Sequence, residues 1–471
     1  MHEITTIDDL KETLAQQQKS FKSAPYRSYQ QRIEDLKTLK IMLLDNQQQF
    51  IETLSQDFGH RSEDDSIIGD IFTSISGINY SIKRLKSWMK PKSRHVSLIL
   101  QPARASIIYQ PVGVVGIIAP WNYPIFLALG PLTAALAAGN NAMVKMSEYT
   151  PRTASLLADL LGKSFSKDKV ALVSGDAKMA ATFSALAFDH LFFTGSTVVG
   201  KLVMQAAAKN LVPVTLELGG KSPAVIDKDM DIKTAVSRFI LGKTLNCGQT
   251  CVAPDYVLCP ENKIDELVEA LRQLYTKMFP SISNNKDCTS IVNQAQYSRL
   301  LGLLDDAKNK GARVLPLSND SGEAGQRQMP LTLVLDTTDD MTIMQQEIFG
   351  PILPIIGYQN PQQAIEYVNS HPRPLALYIY SFNKQFQQDL LLQTHAGGVC
   401  INDAAFHVAN EDLPFGGIGS SGMGQYHGEE GFKTFSHAKP VLTRGRISTV
   451  SLLFPPYGKS IHKLIYKIFI R

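Results

Sequence analysis

A chain of 471 residues with 44% hydrophobic and 19% charged residues is long enough to bury two or three cores and too apolar to be disordered or fibrous. Forty-seven Lys and Arg against 43 Asp and Glu leave a net charge of +4, which gives no reason to expect nucleic acid as the main partner. Five thinly spread cysteines and the polar, acidic opening MHEITTIDDL lead us to expect free thiols in a reduced, cytoplasmic compartment.

The first 92 residues read as helices. Ile33, Leu36, Leu39 and Leu43 recur at helical spacing, as do Ile67, Ile71, Ile75 and Ile78. Residues 96–100 and 105–109 read as two short extended runs around Gln101 and Pro102. Residues 105–144 contain no charge and no histidine, but Pro111, Pro120, Pro124, Pro131 and four glycines interrupt them. No helix of about 20 residues can form there to span a bilayer, so a buried strand, a loop and a buried helix are expected.

From residue 112 onward strands and helices alternate. Apolar strands are expected at 112–118, 142–146, 170–173, 190–193 and 214–218, with Thr150 as an N-cap and Pro151 in the first helical turn. Such alternation implies an α/β fold, a parallel sheet with helices on both faces. A second α/β stretch runs to about Phe406, with strand-like runs at 256–258, 331–335, 375–380 and 398–402. Its clearest helix carries Ile264, Leu267, Leu271, Tyr275 and Met278 on one stripe. Residues 284–319 read as one helix and turns.

Two glycine-rich segments compete as phosphate loops. Gly417-Ile-Gly-Ser-Ser-Gly422 matches the dinucleotide letters, but no strand leads into it and no apolar-periodic helix follows, so it reads as a tight connection. Phe193-Thr-Gly195-Ser196 follows an apolar strand and opens an apolar helix, the context in which backbone N–H groups can approach a phosphate. Lys145 and Glu148, just past another strand, offer a donor and an acceptor for ribose hydroxyls.

Cys251 sits between the polar loop Asn246-Cys-Gly-Gln-Thr and a new strand. It is either a small buried filler or a nucleophile, and its C-x3-C spacing from Cys247 is poor for zinc; no metal site is expected. Glu217, at the end of an apolar strand, is costly there unless paired with Lys221 or used as a base. Asn122 is a polar amide in the charge-free run, a turn residue or an oxyanion donor.

These segments, in this order, resemble the NAD(P)-dependent aldehyde dehydrogenase superfamily over about residues 26–446. The markers are PWNYP at Pro120, VKMSE ending at Glu148, FTGS ending at Ser196, LELGGK at Leu216, GQTC ending at Cys251, EIFGP at Glu347 and PFGG at Pro414. The resemblance implies a Rossmann-like parallel-sheet cofactor domain, a second α/β catalytic domain and a β-hairpin used in oligomerisation. By that likeness residues 1–217 form the cofactor domain, interrupted by the hairpin at 93–111. Residues 218–406 form the catalytic domain, 407–447 a return segment with an oligomerisation strand near Val441, and 448–471 a basic tail.

It further implies that Cys251 attacks the aldehyde, that Asn122 and the Cys251 backbone N–H hold the oxyanion, and that Glu217 activates the water that releases the acid. Lys145 and Glu148 would hold one ribose, Gly195 and Ser196 the pyrophosphate region, and Glu347 the nicotinamide ribose with Phe349 beside it. Within the superfamily the chain looks like the class 3 branch and is similar to the bacterial coniferyl aldehyde dehydrogenases. That implies an aromatic or medium-chain aldehyde as substrate, a homodimer, and NAD rather than NADP because Glu148 repels a 2′-phosphate. Met146 departs from the proline that many relatives carry. A thiol esterase or acyltransferase using Cys251 and Glu217 without redox chemistry is the second reading.

The charge is unevenly placed. No acid follows Glu430, and residues 431–471 carry eight Lys and Arg, which leaves a net −4 on the rest. Lys459, Lys463, Lys467 and Arg471 repeat beside Ile461, Leu464, Ile465 and Ile468, a basic amphipathic helix. It can lie on an anionic membrane or dock on the enzyme's own body.

Overall fold

The computed structural model describes residues 3–320, 322 and 325–470. The apolar runs become parallel strands, in the order Val170–Val173, Asn141–Lys145, Val114–Ile118, His190–Gly195 and Val214–Leu218. They are buried almost throughout, as strands covered on both faces must be. Two strands that the sequence pattern did not announce complete the sheet. Glu3–Ile4 pairs in parallel with Val170–Val173, and Gly422–Met423 runs antiparallel beside Val214–Leu218 with Gly422 opposite Glu217.

The charge-free run is a strand, a loop and the helix Phe126–Ala138, in which every residue but Gly130 is buried. The helix stops at Gly139, whose φ of +95° a side chain would resist. Thr150 stands at the N-cap of Pro151–Ser164, but its hydroxyl does not cap. Instead the Asp57 carboxylate accepts from the Arg152 and Thr153 N–H groups at 3.1 and 2.9 Å. A charged acceptor from another helix replaces the local one.

The N-terminal helices Tyr29–Asp45 and Thr73–Trp88 pack on this sheet's helical layer, with Ile33, Leu36, Leu39, Leu43, Ile71 and Ile78 buried. Between Glu63–Ser66 and Thr73–Trp88 the helix widens into a π turn, Ile67–Phe72, which leaves Ile67 and Ile75 only half-buried.

The second sheet is ordered Arg313–Pro316, Thr332–Leu335, Ile352–Tyr358, Tyr256–Pro260, Pro223–Ile226, Ala376–Tyr380, Gly398–Ile401, parallel except at its first strand. Three of these were unexpected. Pro354 and Gly357 hide the strand reading of Ile352–Tyr358, Pro223–Ile226 is only four residues, and the 284–319 stretch holds Arg313–Pro316 beside its helix Gln294–Asn309.

The expected extended run at 96–100 is corrected. Leu98–Leu100 is a 3₁₀ turn, and the strand partner is Lys92–Arg94. Arg104–Pro111 is flanked by that strand and, along its whole length, by Ser436–Thr443. Beyond it the tail folds into the turn Val450–Leu453 and the helix Ser460–Phe469, which lean on one another. Lys463, Leu464, Lys467 and Ile468 are exposed, and Arg471 lies outside the described residues. No helix among the described residues is long and apolar enough to cross a membrane.

Candidate active site

Three adjacent parallel strands deliver one side of the site at their C-terminal ends, where open α/β sheets bind ligands. Asn122 follows Val114–Ile118, Gly195 ends His190–Gly195 with Ser196 just after it, and Glu217 lies near the end of Val214–Leu218. The second sheet supplies Cys251 from the loop before Tyr256–Pro260, and Glu347 and Phe349 from the loop before Ile352–Tyr358. These seven residues line one cavity of about 500 Å³. Lys145 and Glu148 are not part of its wall. Lys145 is buried at the end of the neighbouring strand, its Nζ donating to the Gly175 carbonyl at 2.7 Å and lying 3.5 Å from Glu148.

Glu217 is buried, and neither carboxylate oxygen has a hydrogen-bond partner. Desolvation pushes its pKa well above the usual carboxylate range. The ion pair with Lys221 does not form, because the Lys221 ammonium is taken by Asp255 and by the carbonyls of Ile343, at 2.7 Å, and Gln346, at 3.2 Å. Lys221 thereby anchors the segment that carries Glu347. Arg299 holds the same loop through the carbonyls of Glu347 and Ile348, at 3.3 and 2.6 Å, and the Asp255 carboxylate accepts from the Ile348 N–H at 2.9 Å.

Burial, with the carboxylates of Glu347 and Glu217 nearby, pushes the Cys251 thiol up to about 12, while the Cys251 and Val252 backbone N–H groups work in the opposite direction. Glu347 is itself raised to about 8 by burial and by Asp255. Its carboxylate rests against Gly219, where a Cβ would come within 2.1 Å of Oε2. Phe349 packs edge-on against Trp121 at 5.2 Å. Asn122 spends one amide N–H on the Gln249 carbonyl at 3.1 Å, which leaves the second for the cavity it lines.

Ser196 caps the helix Thr197–Ala208, its Oγ accepting from the Val199 N–H at 3.4 Å. The rejected glycine loop has a different task. Its last residue forms the antiparallel bridge to Glu217, and a Cβ on Gly422 would sit 2.4 Å from the Leu216 carbonyl oxygen. It backs the strand that carries Glu217.

A second, smaller cavity of about 120 Å³ opens on the far side of Cys251, walled by Ile68, Tyr123, Phe126, Leu241, Phe406 and Val408. Leu127, Cys251, Phe415 and Tyr426 belong to both walls. The motifs named at the sequence level contain Phe415 and Gly219 but gave them no role. Ile68, Phe406 and Tyr426 carried no signal in the sequence, since a cavity wall assembled from distant loops has no period.

Comparison with known proteins agrees with this architecture. Residues 3–441 match the aldehyde dehydrogenase family. A Pseudomonas aeruginosa protein described as a probable coniferyl aldehyde dehydrogenase is 52% identical over 465 residues, 99% of this chain and 97% of that one. A coniferyl aldehyde dehydrogenase from a Pseudomonas strain, HR199, is 45% identical, covering 90% of this chain and 89% of its own. Among solved structures, Staphylococcus aureus AldH in a substrate-bound state superposes with a TM-score of 0.93 at 38% identity, over 98% of this chain and 99% of that one. The Mycobacterium tuberculosis aldehyde dehydrogenase complexed with NAD+ gives 0.85 at 27%, over 95% and 92%. Fold, cavity and sequence converge, and the chain belongs to the aldehyde dehydrogenase family, enzymes that oxidise aldehydes.

Proposed function

We propose that this chain converts an aldehyde to its carboxylic acid through a covalent adduct on Cys251, with NAD(P) bound in the larger cavity and the aldehyde's carbon skeleton in the smaller. The observation that carries the reading is the place of Cys251, in the wall common to a chamber that bears polar groups and an almost wholly apolar one, with the unpaired Glu217 carboxyl in the first.

The residues present fit a dinucleotide. The first N–H groups of the helix behind Gly195 and Ser196 suit a pyrophosphate, Val198, 72% exposed, offers an apolar face, and Glu347 presents carboxylate oxygens for ribose hydroxyls. Lys145 and Glu148 lie at and just past the end of Asn141–Lys145, two strands along the sheet from Gly195. NAD is favoured over NADP, because the half-exposed Glu148 repels a 2′-phosphate.

The Cys251 thiol gives up its proton to water as Sγ bonds to the aldehyde carbon, and the oxyanion formed as the C=O π bond breaks is received by the free Asn122 N–H and the Cys251 backbone N–H. A bound nicotinamide supplies the acceptor for the hydrogen and electron pair that leave that carbon. Glu217 then takes a proton from the water that attacks the thioester, and the acid departs with the thiol restored. Replacing Cys251 with Ala abolishes aldehyde-dependent NADH formation in a steady-state assay; undiminished turnover in that variant overturns the reading.

An aromatic aldehyde such as coniferyl aldehyde suits the apolar chamber, as do medium-chain aliphatic ones. The names carried by the Pseudomonas relatives support the aromatic choice. A panel ranked by kcat/KM with NAD and with NADP decides among them. We further propose a homodimer through the three-stranded sheet and, for a cytoplasmic enzyme, contact of the basic tail with an anionic inner membrane face. The exposed Leu464 and Ile468 beside Lys463 and Lys467 support that contact. Co-sedimentation with anionic vesicles disappears on deleting residues 448–471, and equal sedimentation of the truncated chain would count against it.

A further inference from the structure

The mechanism does not use the most heavily buried ionic cluster near the site, and that cluster touches both of the loops on which catalysis depends. Asp65 and Asp70 come from the short helix and π turn of the N-terminal layer, and Arg61 from the loop just before them. Arg61 is buried between the rings of Phe58 and Tyr123, at 4.9 and 5.1 Å, and pairs with Asp70 at 2.9 Å. Its Nη1 donates to the backbone carbonyl of Asn122 at 3.1 Å, and the Asn246 amide donates to the same oxygen at 3.0 Å. Asp70 Oδ1 accepts from the N–H groups of Ile125 and Phe126, both at 2.9 Å, fixing the turn that follows Asn122.

Asp65 reaches the other loop. Its Oδ2 accepts from the Asn246 N–H at 3.1 Å and from the Thr289 hydroxyl at 2.6 Å. Asn246 and Cys247 both hold positive φ, 51° and 55°, a strained path into Cys251 that needs external support. The wide turn helps, because residues five apart approach one face of an i→i+5 turn. Asp65 and Asp70 can then serve different loops from one segment, with Arg61 between them.

We propose that Arg61 is a positioning residue which, with Asp65 and Asp70, sets the Asn122 amide against the Cys251 thiol. The inference rests on the reading of Cys251 as nucleophile and Asn122 as oxyanion donor. It assigns the N-terminal layer a share in transition-state geometry rather than a covering role alone.

A double-mutant cycle on the rate of the aldehyde-dependent NADH burst tests it. Arg61→Gln lowers the burst rate by roughly 10- to 100-fold, the scale of a displaced catalytic group. In an Asn122→Ala background the same change costs less than about twofold, because the group it positions is gone. The dissociation constant for NAD+, read by protein fluorescence, stays within about twofold of the parent's. Equal losses in both backgrounds, an unchanged burst, or a nucleotide affinity that falls in step with the burst would each overturn the proposal. If Arg61→Gln does not fold, Arg61→Lys replaces it in the cycle, with a smaller loss and the same required disappearance in Asn122→Ala. Asn122→Ala with an undiminished burst would instead defeat the assignment of Asn122 and leave the role of Arg61 to be read from the Arg61 variants alone.

Discussion

Two carboxylate oxygens without a partner, deep in a cavity wall, define what Glu217 can do and at what pH. Burial favours its neutral form, so the base needed to activate water accumulates only as pH rises through a pKa held well above the ordinary carboxylate value. The acyl-release rate therefore climbs with pH in the parent enzyme, and the limb vanishes in Glu217→Gln. In that variant thioester on Cys251 accumulates to about one equivalent, visible by intact-protein mass spectrometry. A variant that turned over without a detectable adduct would remove Glu217 as base. Stability follows the same sign. A carboxyl whose folded pKa is raised stabilises the fold at low pH, and that contribution is lost as pH rises through the folded pKa. The melting temperature of the parent should thus fall below that of Glu217→Gln as the buffer is made alkaline, a comparison within reach of differential scanning fluorimetry.

Strand ends and helix starts carry the proposed cofactor side of the site, so their perturbation should separate binding from chemistry. Ser196→Ala removes the cap of Thr197–Ala208, at a cost of about 1 kcal/mol of stability. It should raise KM for the nucleotide more than it lowers kcat. Gly219→Ala drives a Cβ onto the Glu347 carboxylate, the movable end of a side chain, so the protein still folds while nucleotide affinity drops. Titration by isothermal calorimetry reads both.

The strands that hold these residues were legible in sequence because fully buried parallel strands are continuous apolar runs. Val170–Val173 and Val214–Leu218 coincide with their expected limits. Ile352–Tyr358 was hidden by its own Pro354 and Gly357, and the true cap of Pro151–Ser164 by distance, since Asp57 lies more than 90 residues earlier in the chain. Of the proposed site residues, seven meet in one cavity because motif residues at strand ends converge by topology. The apolar chamber escaped notice because Ile68, Leu241 and Phe406 meet there from three distant segments.

At the scale of the whole molecule, two sheets face one another across the site, and a small third sheet stands apart from both. Its outer strand Ser436–Thr443 is paired, among the described residues, on one side only, by Arg104–Pro111; Leu442 on that strand is 53% exposed, and Ile108 on its partner 37%. An open edge with apolar side chains invites a second copy. Leu442→Glu should therefore shift sedimentation velocity toward the monomer with little change in the far-ultraviolet spectrum; an unmoved boundary would place the dimer contact elsewhere.

Because the two chambers share a wall that includes Cys251, what fills one does not take up the volume of the other. A dead-end inhibitor lodged among Ile68, Phe126 and Phe406 should leave the affinity for nucleotide intact and show noncompetitive kinetics against it. Changes in the size of the aldehyde's side chain can likewise be absorbed in one compartment without retuning the other. On the proposed placement of aldehyde and nucleotide, lineage and laboratory alike can alter which carbon skeletons are accepted while the redox half of the enzyme stays as it is.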